Sequence, residues 1–186
     1  MHFSRTALAA VGGLTLLGAA AGVACGGSGA SEGGAEGGGE AVLVAVTDQA
    51  ARLTFKRPAS WTRTSETPLT FSGQDEYISS EARPLAGADV LAIAKADEAA
   101  VQAANPGYKL VGAIALSKEV KNAAVISYEW DLAKSAVSGK PVHERADRYY
   151  ISLGNGQVAI LTGSSPSTRF DREQVRDIAL TVQVTK

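Results

Sequence analysis

Polar and apolar positions alternate from Arg52 onward, with Leu53 and Phe55 set against Arg52, Thr54 and Lys56, until Pro58 interrupts the pattern. A period of two predicts a strand with one wet face. A turn through Ala59 and Ser60 follows, leading to Trp61. Shorter runs at Leu69–Ser72 and Tyr77–Ala82, each bounded by Pro, Gly or acidic residues, predict further strands of an antiparallel meander. The period then changes. Ala88–Ala104 is rich in alanine, contains no Gly or Pro, and stops at Asn105-Pro106-Gly107, which predicts a helix with the apolar stripe Val90, Ile93, Ala94 and Val101. Asp97 projects close to that stripe. It is half-buried or paired if this face packs on the sheet; the simpler expectation is that Leu91 rotates the packed face and leaves Asp97 in water.

Beyond the helix, Tyr108–Leu116 and Val125–Ala133 are rich in strand formers. In the second, Ile126, Tyr128, Trp130 and Leu132 fall on one side, while Ser127, Glu129 and Asp131 fall on the other, which predicts one covered and one more polar face. A strand from Val142 to Leu153 enters Gly154-Asn155-Gly156-Gln157, and Asn-Gly favours a two-residue hairpin turn. Such a turn pairs Leu153 with Val158 and Ile151 with Ile160. Near the C-terminus, Asp171 with Gln174 forms a capping box and Phe170 with Val175 a hydrophobic staple, so a helix starts there with Val175, Ile178, Ala179 and Val182 as its buried stripe. A short strand is expected within Thr181–Thr185. These elements assemble most simply as α+β, an antiparallel sheet of about six to seven strands flanked by two helices.

The first part of the chain reads as an address. Arg5 precedes an uncharged run from Ala7 to Ala24, the layout of an export signal. As a helix that run rises about 27 Å against a hydrocarbon core of about 30 Å, and four glycines weaken it, so residues 1–24 are read as a signal peptide and not as a permanent anchor. Ala20-Ala21-Gly22-Val23-Ala24-Cys25 resembles a bacterial lipobox, with Gly22 where a large aliphatic residue is usual. The resemblance implies that Cys25, the only cysteine, carries a lipid and becomes the new N-terminus. Gly22 and Ala24 also satisfy the rule for ordinary signal cleavage, which would release a soluble protein. The stretch Gly26–Glu40 has eight glycines and no large apolar side chain. It is a tether that cannot fold, with a reach of about 20 to 23 Å. Residues 25–40 thus connect a lipid to a single globular domain, 41–186.

Composition mostly excludes. Of 186 residues, 45% are hydrophobic, and 18 Lys and Arg stand against 19 Asp and Glu, so no basic surplus calls for nucleic acid. With one cysteine the domain has no internal disulfide and must stand on its core.

The order of elements and two motifs resemble the PsbP-like superfamily, which includes Mog-type Ran-binding proteins and LpqN-type lipoproteins. Leu53-Thr54-Phe55-Lys56-Arg57-Pro58-Ala59-Ser60-Trp61 looks like that group's opening strand and Pro-x-x-Trp turn. The run from Tyr149 to Ile160 looks like its long hairpin, followed by a loop at Pro166 and a terminal helix. The resemblance implies an αβα sandwich, an envelope protein acting through contacts, and no transferable ligand or catalytic residue.

Catalytic chemistry is thin. The chain after Cys25 has one histidine, His143, and no Gly-x-Ser-x-Gly, P-loop, dinucleotide fingerprint or calcium loop. No metal site and no cofactor is expected. The one polar constellation is Glu129 and Asp131 with His143, Arg145 and Asp147. If Ser135–Pro141 closes a hairpin, Glu129 faces Arg145 and Asp131 faces His143. This is either an interaction face or a ladder of ion pairs on a wet surface. Tyr149, Ile151 and Leu153 share parity with the polar trio, which requires a bulge near Ala146–Arg148 or a strand that runs past its covering helix. The expected function is that of a membrane-anchored, extracytoplasmic lipoprotein of the cell envelope with a non-enzymatic binding or accessory role, its contacts being the membrane and an envelope protein. The alternative is a secreted or envelope enzyme with a minimal site of Asp131, His143 and Asp97.

Overall fold

Leu53 and Phe55 are fully buried because their strand, β2 (Leu53–Pro58), lies in the middle of a small antiparallel sheet between β1 (Leu43–Asp48) and β10 (Gln183–Val184). The computed structural model describes residues 42–73, 75–85, 89–116, 122–132, 140 and 142–185. The expected signal peptide, Cys25 and the tether lie outside the described residues, as do Ala88, Ala133 and most of the Ser135–Pro141 connection.

The larger sheet has seven antiparallel strands. In spatial order they are β3 (Thr62–Glu66), β4 (Leu69–Ser72), β5 (Tyr77–Pro84), β9 (Gln157–Pro166), β8 (Val142–Ser152), β7 (Ala123–Leu132) and β6 (Lys109–Ala115). Among the described residues two helices complete the fold, α1 (Val90–Ala104) and α2 (Arg172–Ala179). The expected α+β fold, an antiparallel sheet of about six to seven strands with two helices, is therefore observed, with seven strands in the larger sheet. The expectations did not include β1, β3 or the second sheet.

Each helix has a cause in the sequence. Asp89 caps α1 by accepting from the Leu91 N–H at 3.3 Å, and Val90, Ala94 and Val101 pack on Ile126, Tyr128, Tyr150, Val158 and Ile160 of the sheet. Asp171 caps α2 by accepting from the Gln174 N–H at 3.0 Å. Phe170 and Val175 join one cluster with Val125, Tyr149, Ile151 and Ala179, so the staple forms. The small sheet and Ile178 of α2 cover Ile78, Ala159 and Leu161. The large sheet is thus covered on both sides in its middle, giving three layers.

That arrangement corrects two expectations. The side of β7 expected to be polar includes Val125 and Ser127, both buried, because α2 packs on that side; Leu132, expected in the core, is exposed at the strand's end. The β8–β9 hairpin is shifted by one residue. Ile151 pairs with Ala159 and Tyr150 with Ile160, and the Leu153 N–H donates to the Gln157 carbonyl at 2.9 Å, so the loop contains Gly154, Asn155 and Gly156. Positive φ at Gly154 and Gly156, 74° and 77°, permits this wider turn. Next to the turn both faces are apolar, with Tyr149, Tyr150 and Ile151 on β8 against Val158, Ala159 and Ile160 on β9, so the hydrophobic pattern there does not choose between the two registers.

Candidate functional site

The β7–β8 register is the one that charge pairing predicts. Glu129 lies opposite Arg145, Asp131 opposite His143 and Ser127 opposite Asp147. No register shift interrupts β8 against either neighbour, so of the two expected ways to resolve the shared parity, the bulge is absent. The strand instead runs past its cover, and burial rises along it. His143 is 67% exposed in its side chain and meets Asp131 Oδ1 through Nδ1 at 2.6 Å. Arg145 lies 3.8 Å from Glu129, which also has Lys109 at 4.0 Å, and its guanidinium stacks 5.5 Å from the Phe170 ring. Asp147 is 1% exposed. The Arg172 Nε donates to its Oδ2 at 3.1 Å, and the Arg172 Nη2 donates to Ser127 Oγ at 3.0 Å. The other oxygen, Asp147 Oδ1, is buried without a hydrogen-bond partner. Burial first, and the Asp147 charge second, push the Tyr149 phenol up.

The five sequence-predicted residues therefore share one sheet face but not one cavity. Glu129, Asp131 and His143 border a depression of about 440 Å³ together with Lys109 and Trp130. Arg145 and Asp147 belong to a separate groove of about 390 Å³ between α2 and β6. Its floor is apolar, with Val111, Ile114 and Val125, and its wall is Arg172 and Arg176 with Arg145. Val111 is 43% exposed and Ile114 58%. A register shift between Leu110 and Gly112 places Val111 at a bulge of this edge strand. Sequence reasoning passed over Val111, Ile114, Arg172 and Arg176. One signal was available, since Arg172 and Arg176 stand four apart on a capped helix and so share a face.

The opposite sheet face holds a second cluster, and it overturns the expectation that Asp97 lies in water. Its side chain is 8% exposed. Asp97 Oδ2 accepts from the Tyr150 hydroxyl at 2.7 Å, and Oδ1 accepts from Arg83 Nη1 at 2.6 Å. Arg148 lies 3.1 Å from the same carboxylate, 2.5 Å from Glu81, and donates to Thr162 Oγ1 at 2.8 Å. Burial alone would raise the Asp97 carboxyl; the Tyr150 hydroxyl, Arg83 and Arg148 outweigh it and hold the group below the usual range. The packed face is that of Val90, Ala94 and Val101, which share a buried cluster with Tyr128 and Tyr150, while Leu91 is only partly buried against it.

Glu144, which no sequence argument singled out, is 2% exposed. It sits in register between Trp130 and Pro166, with Oε2 buried and unpartnered. Burial first, and Asp75 second, push its carboxyl up to about 7.

The proposed catalytic trio does not converge. Asp131 and His143 project from the α2 side of the sheet, whereas Asp97 reaches Arg148 and Tyr150 on the α1 side. Among the described residues, no three His, Cys, Asp or Glu side chains come together as metal ligands. What the geometry offers is a binding surface with apolar and cationic parts.

No family model and no curated protein sequence matches the chain. Solved structures do. The Ran-binding protein Mog1p of Saccharomyces cerevisiae superposes with a TM-score of 0.54 over 79% of this chain and 97% of that one, at 8% identity. Cyanobacterial PsbP from Synechocystis gives 0.49 over 82% of this chain and 98% of that one, at 15% identity. The fold is thus that of Mog1p.

Proposed function

We propose that this chain is a lipid-anchored lipoprotein on the extracytoplasmic side of the cell membrane, and that its domain, 41–186, acts by binding an envelope protein without chemistry of its own. The observation that carries the binding role is the groove beside α2, where exposed Val111 and Ile114 face Arg172 and Arg176. Surface apolar side chains grouped with arginine are the composition of contact sites. The fold is shared with a protein described as Ran-binding, which accords with a role through contacts. Cys25 after small residues, and the glycine-rich stretch behind it, support the anchor and the tether.

The test combines labelling with crosslinking. Cells grown with a clickable palmitate analogue should yield a labelled protein in the membrane fraction, and Cys25→Ala should remove both label and membrane association. In-cell crosslinking of a C-terminally tagged chain should then recover one envelope protein in stoichiometric amount. Unlabelled protein in the soluble fraction overturns the anchor, and recovery of the chain alone overturns the partner.

A further inference from the structure

We propose that Asn155, at the tip of the β8–β9 hairpin, is a site of spontaneous covalent modification, where the side-chain amide is lost through a cyclic imide and replaced by aspartate or isoaspartate. The proposal goes beyond the binding role above and depends on neither the anchor nor a partner.

Surroundings select this asparagine among the chain's three. Asn105 precedes Pro106, whose nitrogen carries no proton to lose. Asn122 precedes Ala123, which is buried in β7, and its Oδ1 accepts from the Val90 N–H of α1 at 3.3 Å. Asn155 precedes Gly156, and both are exposed. A Cβ built at Gly154 or Gly156 meets no atom within 4 Å, so water and base reach the Gly156 nitrogen through open space. Among the described residues nothing accepts from the Gly156 N–H.

The turn also brings the reacting atoms together. Asn155 Oδ1 accepts from the Gln157 N–H at 3.2 Å. The ring closed by that bond contains both the Asn155 Cγ and the Gly156 nitrogen, so the amide carbon is turned back towards the atom that attacks it. The same bond receives the negative charge that builds on Oδ1 as the nitrogen adds. Gly156 keeps its place because its carbonyl accepts from the Leu85 N–H at 2.8 Å.

The Gly156 nitrogen forms a bond to Asn155 Cγ and gives up its proton. The bond from Cγ to Nδ2 breaks, and ammonia leaves with that proton. Water then opens the imide at one carbonyl or the other, and nothing is oxidised or reduced. One opening yields aspartate, which still accepts from Gln157. The other yields isoaspartate, whose main chain runs through Cβ and Cγ and is longer by one atom. That product lengthens the loop closed by the Leu153 N–H on the Gln157 carbonyl at 2.9 Å. Either product adds a negative charge to a chain whose net charge is −1.

The test follows the full chain, purified from membranes in mild detergent and aged in mildly alkaline buffer. Trypsin releases Tyr149–Arg169, in which Asn155 is the only asparagine. This peptide should gain about 1 Da, at least about tenfold faster than the peptide that holds Asn122. Protein isoaspartyl methyltransferase should then methylate it, and Asn155→Gln should abolish both signals. An unchanged peptide from the folded chain would overturn the proposal, whether or not the chain unfolded in urea converts. Equal rates at Asn122 and Asn155, or a gain that survives Asn155→Gln, would overturn it as well.

Discussion

The Tyr150 hydroxyl donates to Asp97 at 2.7 Å and so fastens helix α1 to the central strand β8. The bond ends in a carboxylate that two arginines also hold, Arg83 at 2.6 Å and Arg148 at 3.1 Å. Removing the carboxylate leaves Arg148 buried with Glu81 as its remaining acidic neighbour. Asp97→Ala should cost about 3 kcal/mol, and Tyr150→Phe about 1 kcal/mol. Urea unfolding followed by tryptophan fluorescence measures both; equal, negligible losses would show that the cluster contributes nothing to stability.

Glu144 gives stability a pH dependence of definite sign. Its folded carboxyl titrates near 7, above the ordinary value of about 4.3 for an unfolded chain. The native state therefore binds the proton more tightly, and this group's contribution declines as pH rises from about 4.5 to about 7. Glu144→Gln should flatten that decline and raise stability at pH 8 by about 1 to 3 kcal/mol. Asp97, held low, acts in the opposite sense. Its contribution is present above the unfolded carboxylate range and is lost only as pH falls below it, so the two effects occupy separate windows in a pH series of unfolding curves.

Gly163 has no space for a side chain. A Cβ built there meets the Val175 methyl groups of α2, so Gly163→Ala should displace the helix at a cost of about 1 to 3 kcal/mol. Val175→Ala in the same chain should recover part of that loss. Thermal melting of the two single variants and the double variant measures the coupling, and strict additivity would mean that the two residues do not collide.

His143 contrasts with these. Its pair with Asp131 is short but exposed on both sides. His143→Ala should change stability by less than about 1 kcal/mol and leave partner crosslinking intact. Any hydrolytic activity found in the chain would have to survive this change for the binding role to stand.

How much of this the sequence discloses depends on where each residue's partners lie. The β7–β8 register was legible because Glu129, Asp131, His143 and Arg145 pair by charge across a single hairpin. The β8–β9 register was not, because Tyr150, Ile151, Ala159 and Ile160 are apolar on both faces and a one-residue shift leaves burial unchanged. Strand β3 reads Thr-Arg-Thr-Ser-Glu, almost wholly exposed at a sheet edge, so it has no apolar period to find. Asp97 was misplaced because its environment is set by Arg83 and Arg148, on strands on either side of its helix in sequence. The groove combines residues from β6, β7, β8 and α2, and only its two helical arginines share a local pattern.

The pairing of β10 with β2 also has a consequence for when this protein can finish folding. Thr54 and Thr185, 131 positions apart, meet across it, and the Thr185 N–H closes on the Arg52 carbonyl at 3.0 Å. The residues of β2 are made early in synthesis, but one edge of the strand has no partner until the ribosome has added Gln183 and Val184. A contact of such long range closes late. The small sheet is thus a two-stranded ribbon of β1 and β2 until those two residues have been made.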